Sequence, residues 1–351
     1  MQSAIPEGLR CPRTQATRAP SNHIPAAPAC VAQMPAEMTR ITMGYFGVQY
    51  RSGSTGRPQQ FIASVRASFA APDGPDHQDL VHHVDAAGYD NLIVVAYWAN
   101  QARYQAWWES PNTSQWWNDP ARSSEGAGYF REVLTPRIDR FETLFSNRGE
   151  PEGVARLGSG RIEDIQEHGY WGSARDRLPA SQTDALAGEG TLGLLKEPRR
   201  SGWLRVKPSR NVAVIRSGQD WSQTFDEERA AYLRDIEPTL EAGMRFLRDE
   251  GTAIGCFTNR YLRHLDDDLR PLDQTFGLSH WRSLEHLERW AESHPTHLKI
   301  YGSFMRMVQA MKSQLKVRLS HEVTVVHEDE QTYEYLNCHN RTGLMNGCQA
   351  T

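Results

Sequence analysis

Trp98, Trp107, Glu109 and Ser110 recur as Trp281, Trp290, Glu292 and Ser293, all at one constant offset of 183 residues. Two tryptophans nine positions apart, matched twice at a single spacing, mark an internal duplication. That feature constrains the fold more than any composition does, because whatever supersecondary unit the first copy builds, the second must build again. The hydrophobic pattern agrees. In residues 42–145, strands are predicted at Met43–Tyr50, Asn91–Trp98 and Tyr129–Leu134, with helices near Gln60–Ala70 and Ala102–Ser110. In residues 211–340, strands are predicted at Asn211–Ser217, Cys256–Arg263, Phe276–Trp281 and Val317–Val326, with helices over Thr224–Glu250 and from Leu284 onward. Strand–helix–strand–strand–helix–strand is the ferredoxin-like order. Two copies predict an α+β fold of tandem ferredoxin-like repeats, packed sheet to sheet as a barrel-type core with a ligand cavity.

Helix signals refine the second copy. Thr224 and Glu227 are spaced as a capping box, Leu233, Ile236, Leu240, Met244 and Leu247 keep the 3.6-residue period, Pro238 predicts a kink and Gly251 a stop. Helix Leu284–Trp290 must end before His294-Pro295, because proline disfavours helical geometry in its predecessor. Proline suits the first position of a new helix, which holds His297 in its first turn.

The remaining segments read differently. Residues 1–41 carry six of the nineteen prolines, so an extended arm is expected rather than a helix or central strand. Residues 146–210 are punctuated by glycine and proline but include His168-Gly-Tyr-Trp-Gly-Ser-Ala-Arg175-Asp-Arg177, too aromatic for plain disorder. A long connection of this kind predicts a cover over a site. Residues 341–351 form a tail.

The net charge is −4, with no long block of one sign, so nothing favours a nucleic acid or an anionic membrane and a small molecule is the expected partner. The longest apolar run, Leu92–Ala99, is far shorter than the ~20 residues that span a bilayer, and the first forty residues lack a secretory apolar region. Cys11, Cys30, Cys256, Cys338 and Cys348 form no C-x-x-C pair. Thiols in a reducing compartment, and a cytoplasmic protein, are the expectation.

Two histidines stand out. At helical spacing His297 shares a stripe with Tyr301, Phe304 and Val308. It reads either as a core histidine bonded to a backbone carbonyl or as an axial ligand to haem iron, since imidazole suits iron and a macrocycle needs an apolar wall. His294 is better placed to cap the helix. On the last long strand Val317, Leu319, His321, Val323 and Val325 share one face, so His321 points inward, as a bonded structural histidine or as an acid–base group with a depressed pKa. Arg175 and Arg177 read as surface or Asp176-paired arginines, Ser217 as a turn serine ahead of Gly218, and Glu142 as a solvated carboxylate, unless a site recruits them. His294 and His297 lack a third zinc ligand at useful spacing, Cys338-His339 is isolated, and no G-x-S-x-G, Walker or G-x-G-x-x-G motif is present.

Several long strings together, Met43-Gly-Tyr-Phe-Gly-Val-Gln49, Glu167-His-Gly-Tyr-Trp-Gly172, Arg175-Asp-Arg177, Ile215-Arg-Ser-Gly-Gln-Asp-Trp221, Trp281-Arg-Ser-Leu284, Arg289-Trp-Ala-Glu-Ser-His-Pro-Thr-His-Leu298 and His321-Glu-Val323, resemble the haem-containing aldoxime dehydratases over nearly the whole chain. The resemblance implies haem b between two ferredoxin-like halves, a homodimer, and dehydration of R–CH=N–OH to a nitrile and water on ferrous iron. It implies His297 as the proximal iron ligand, His321 as the distal acid–base, Arg177 and Ser217 as holders of the oxime hydroxyl, and Glu142 as an assisting acid. Arg175 and His168 would be support residues. The chain departs from the family pattern in a longer 297–321 stretch and in an arm, Pro25–Cys30, without an aromatic. Other readings are a peroxidase or chlorite-dismutase-like haem enzyme on the same fold, or a haem sensor without turnover.

Overall fold

The computed structural model describes residues 1–53, 56–147, 149–197, 200–311 and 315–350, with backbone alone for 349 and 350. In chain order the elements are β1 (Cys30–Gln33), β2 (Thr42–Arg51), α1 (Arg57–Phe69), β3 (His77–Val84), β4 (Tyr89–Trp98), α2 (Gln101–Glu109), α3 (Pro111–Trp117), β5 (Gly128–Leu134), β6 (Phe141–Phe145) and β7 (Gly160–Glu163). They continue with α4 (Ser173–Arg177), β8 (Gly193–Lys196), β9 (Trp203–Lys207), β10 (Val212–Asp220), α5 (Asp226–Ala231), α6 (Glu237–Asp249), β11 (Cys256–Leu265), β12 (Pro271–Trp281), α7 (Leu284–Ser293), α8 (Pro295–Ala310), β13 (Arg318–Val326) and β14 (Gln331–Leu336).

The strands form one sheet in the order β7-β1-β6-β13-β10-β12-β11-β3-β4-β2-β5-β14-β9-β8. Inside it, β13-β10-β12-β11 and β3-β4-β2-β5 are two four-stranded blocks joined edge to edge by β11 on β3. Numbered by order of appearance, the strands of the second block lie 4-1-3-2 and those of the first read the same order in reverse. One face of each block contributes to a shared core in which Tyr45, Ile93, Val95, Tyr97 and Phe130 meet Val214, Leu262, Phe276 and Leu278. The opposite faces are covered by helices: α1–α3 on the first block, with Phe46, Trp98 and Trp107, and α6–α8 on the second, with Trp281, Trp290, Val323 and Val325. The duplicated tryptophans occupy matching places, Trp98 and Trp281 each ending a strand. Each packs on the helix that follows, with ring separations of 5.1 Å for Trp98–Trp107 and 5.6 Å for Trp281–Trp290 and interplanar angles of 40° and 39°.

Several expectations need correction. The first copy contains an additional strand, β3, whose sequence His77-Gln-Asp-Leu-Val-His-His-Val84 has no clean alternation because its polar side chains bond neighbouring strands, as His82 does to Asp90 at 2.8 Å. The helix expected over Thr224–Glu250 starts at Asp226 without a capping box, since the Thr224 hydroxyl donates to the Trp221 carbonyl at 2.7 Å. It widens into a π turn at Tyr232–Ile236 just before Pro238, whose ring excludes the carbonyl four residues back. Ser217 is no turn residue. It lies inside β10, which runs on to Asp220. The arm contributes a strand, β1, next to the sheet's β7 edge, and its proline-rich portion is irregular, with one 3-10 turn at Glu7–Leu9. Among the described residues no disulfide forms and no helix is long and apolar enough to cross a membrane.

Burial leaves several histidines uncharged. His280, in the shared core and 1% exposed, has no partner for either ring nitrogen, and burial pulls its pKa down to about 4; His264 falls equally far. A folded-state pKa below the unfolded value of ~6.5 means the unfolded chain binds the extra proton. Stability should therefore fall as pH drops from about 6.5 toward 4. Urea midpoints at pH 7.5 and pH 5 test this: His280→Leu should show a shallower loss than the parent, and identical slopes would rule out a neutral buried His280.

Candidate active site

The strand side of the site follows from register. Ser217 on β10 lies directly opposite His321 on β13, and His321 lies opposite Leu144 on β6. Two residues along, Val323 faces Glu142. Directly opposed residues share a face, with Cβ atoms roughly 4.5–5.5 Å apart. Ser217, His321 and Glu142 thus project from the helix-covered face, while Arg216 and Glu322 project into the shared core. Sequence reasoning missed Gln219, which period-two counting from Ser217 places on the same face. Its Nε2 donates to the Ser217 carbonyl at 2.9 Å, and its Oε1 accepts from Thr275 Oγ1 at 3.1 Å.

His321 is partly buried on this face. Desolvation, then the positive charge of Arg177 and the proximity of His297, lower its pKa to about 4. At neutral pH it rests uncharged.

The helix side is built by the break before Pro295. His294 caps α8 through Nδ1, which accepts from the Thr296 amide at 3.3 Å, so the rival histidine is occupied as a cap. One turn in, His297 Nδ1 donates to the Ala291 carbonyl at 2.6 Å. That carbonyl belongs to the end of α7 and left no trace in the side-chain pattern. The bond sets the tautomer and leaves Nε2 as the available nitrogen, the way a histidine is held ready for a metal. The ring is packed by Trp290 at 4.6 Å and Trp171 at 5.6 Å between centroids. Burial lowers its pKa, favouring the neutral form a metal requires. A fixed imidazole within electrostatic reach of a second one, beside Trp171, Tyr301 and Phe304, fits an iron macrocycle. Among the described residues no three His, Cys, Asp or Glu side chains converge as a metal site.

In the segment expected to cover the site, the two arginines are neither surface groups nor partners of Asp176. Arg175 forks onto Glu288 of α7 at 2.7 and 2.8 Å. Arg177, at the end of α4, grips Glu142 with Nε at 2.6 Å and Nη2 at 3.1 Å, and both side chains are 2% exposed. Its Nη1 donates to the Glu167 carbonyl at 2.8 Å and Ser173 Oγ at 3.1 Å. Burial, opposed by Arg177, leaves the Glu142 carboxyl with a raised pKa. The cover also reaches the helix side through Trp171, so one segment touches both histidines' surroundings. His168 is 8% exposed, with its carbonyl bound by His23 at 2.7 Å and its Nε2 without a partner. The length of the 297–321 stretch is carried partly by residues 312–314, which lie outside the described residues.

Breaking one side of a buried ion pair costs ~3–5 kcal/mol, whereas replacing both sides with apolar groups is far milder. Arg177→Met should therefore destabilise the haem-free chain by about that amount in urea unfolding. Adding Glu142→Leu should recover most of the loss; no recovery would mean that the two are not energetically paired.

Residues 44–344 match the haem-containing dehydratase family. The chain is 45% identical over 348 residues to an aliphatic aldoxime dehydratase of Rhodococcus globerulus, covering 98% of both. It is 34% identical over 332 residues to a phenylacetaldoxime dehydratase of Bacillus sp. (strain OxB-1), covering 93% of each. A crystal structure of an aldoxime dehydratase bound to butyraldoxime superposes with a TM-score of 0.93 at 45% identity, over 98% of this chain and 96% of that one. A fold that matches over nearly its full length and an imidazole braced to present one nitrogen thus place this chain in the haem-containing dehydratase family.

Proposed function

We propose that this chain dehydrates aldoximes, R–CH=N–OH, to nitriles and water, with haem b held by His297 Nε2. The observation that carries the reading is the pairing of Ser217 with His321 on the sheet face that α6–α8 cover, beside Arg177 and Glu142. When bound, the haem supplies a ferrous centre for the oxime nitrogen and electron density for the breaking N–O bond. The Ser217 hydroxyl and the Arg177 guanidinium orient the oxime hydroxyl. Hydroxide leaves poorly, so His321 as the imidazolium donates a proton to that oxygen, and the resulting neutral ring takes the proton from the adjacent carbon. General acid assistance of this kind is worth ~10²–10⁴ in rate.

Because the resting His321 is neutral, it must acquire its proton at pH 7. Burial raises the Glu142 carboxyl, so we assign it the assisting role: Arg177 holds both its oxygens as a carboxylate, and its protonated form would reload an imidazole that has lost its proton between turnovers. The strand orders of the two four-stranded blocks, and the core they share, support tandem ferredoxin-like repeats closed as a barrel. Higher identity to aliphatic than to phenylacetaldoxime dehydratases supports short alkyl substrates. The peroxidase, chlorite-dismutase and sensor readings gain nothing from these comparisons. A homodimer and a cytoplasmic setting remain part of the proposal.

Haem-loaded, dithionite-reduced protein under argon should convert butyraldoxime to butyronitrile, measured by gas chromatography, faster than it converts phenylacetaldoxime. His297→Ala should lose pigment and activity together. His321→Ala and Ser217→Ala should keep the Soret band and lose at least ~10²-fold in kcat; a parent-like rate in His321→Ala would remove it as the acid. Glu142→Gln should be more impaired at pH 8 than at pH 6, where solvent protons can replace its supply. A defect independent of pH would assign Glu142 to holding Arg177 alone.

A further inference from the structure

The N-terminal arm is tied to the cover along its length. Ser3 Oγ and the Ala4 amide donate to the two Glu167 carboxylate oxygens at 3.0 and 2.8 Å. The Cys11 amide donates to Gln182 Oε1 at 3.0 Å, and Gln182 Nε2 returns a bond to the Leu9 carbonyl at 2.8 Å. The Thr14 amide donates to the Gln182 carbonyl at 2.8 Å. Arg13 Nη2 donates to the Asp176 carbonyl at 3.1 Å, and the Arg18 amide donates to both Asp176 carboxylate oxygens, at 2.9 and 3.2 Å. Gln166 Nε2 reaches the His23 carbonyl at 2.7 Å.

These ties fall on the residues that aim Arg177. Glu167 receives the arm on its carboxylate and holds Arg177 Nη1 on its carbonyl. Asp176 precedes Arg177 in the chain and is 1% exposed, and among the described residues its carboxylate takes hydrogen bonds from the arm and from the Tyr170 hydroxyl. Gln182 is 4% exposed and spends both ends of its amide on the arm and on Pro179. A buried carboxylate or amide stripped of its donors costs roughly 1–3 kcal/mol, more for the charged group, so the cover cannot keep this shape with the arm detached.

We propose that the arm is a strap that positions Arg177, acting through Glu167, Asp176 and Gln182, so that its attachment sets the placement of the distal guanidinium. This rests on the reading of Arg177 as an oxime-orienting group. Displacing such a group by about 1 Å can cost ~10² in rate. The arm's outer surface carries exposed Arg10 and Arg18, so trypsin reports its attachment.

The test uses full-length, haem-loaded protein with Asp176→Asn/Gln182→Leu, the milder Gln182→Leu, and Arg177→Lys as reference. The double variant should be cut by trypsin after Arg10 and Arg18 at least about tenfold faster. It should keep haem per chain, lose ~10-fold or more in kcat, and shift the C–O stretch of the ferrous carbonyl complex in the direction seen for Arg177→Lys. Gln182→Leu should move all three readouts less, and it decides the matter if the double variant fails to fold. Faster cleavage with kcat and C–O stretch unchanged would reduce the arm to a coat, and unchanged cleavage would show that these ties do not hold it; either overturns the strap. If Arg177→Lys itself alters neither kcat nor the stretch, the fault lies with the reading of Arg177 instead.

Discussion

Along β10 and β13 alternate residues face either the helices or the core shared by the two halves, and the charges decide which set goes where. Arg216 and Glu322 oppose each other on the core side, both bonded to the Tyr97 hydroxyl from the other half, with Asp79 at 3.0 Å from the guanidinium. A slip of one residue would send this pair beneath α6–α8 and bring Ser217 and His321 into the core. Burying two charges away from their partners costs several kcal/mol per ion. The buried network thus locks the register that keeps serine and histidine side by side on the outer face, and everything proposed for the chemistry presupposes that lock.

The same logic of satisfied polar groups governs the helix side. His297 reads as a structural histidine bound to a carbonyl or as a ligand to iron, and the bond the first reading requires leaves free the nitrogen the second would use. Nδ1 is spent on Ala291, which makes Nε2 the lone-pair nitrogen and fixes the ring plane. The break at His294-Pro295 matters here: it turns the chain so that the last carbonyls of α7 meet the first turn of α8.

Between the two sides lies the cover. It holds Arg177 on Glu142 and Trp171 against His297, and it is itself held by the arm. A segment with so little regular structure gains its order from side chains distant in sequence, which is why Glu167, Asp176 and Gln182, 163, 158 and 173 residues from the amides and carbonyl they bind, carry the load that helix or sheet ladders carry elsewhere.

Local periodicity reached far into this protein. The matched tryptophans, the inward face of His321 and the new helix at Pro295 were legible, because each depends on side-chain spacing or on proline's missing donor, which no tertiary contact can change. Ser217 was misplaced because a following glycine resembles a turn when read alone, whereas both neighbouring strands continue past it. β3 was missed because its polar side chains are paired laterally. The roles implied for Arg177 and Glu142 came from resemblance alone, and residue type by itself pointed to solvent. Their burial as a pair, the carbonyl behind His297 and the strap across the cover were decided only when distant segments met, since a buried charge or an oriented ring is defined by the partner that folding brings to it.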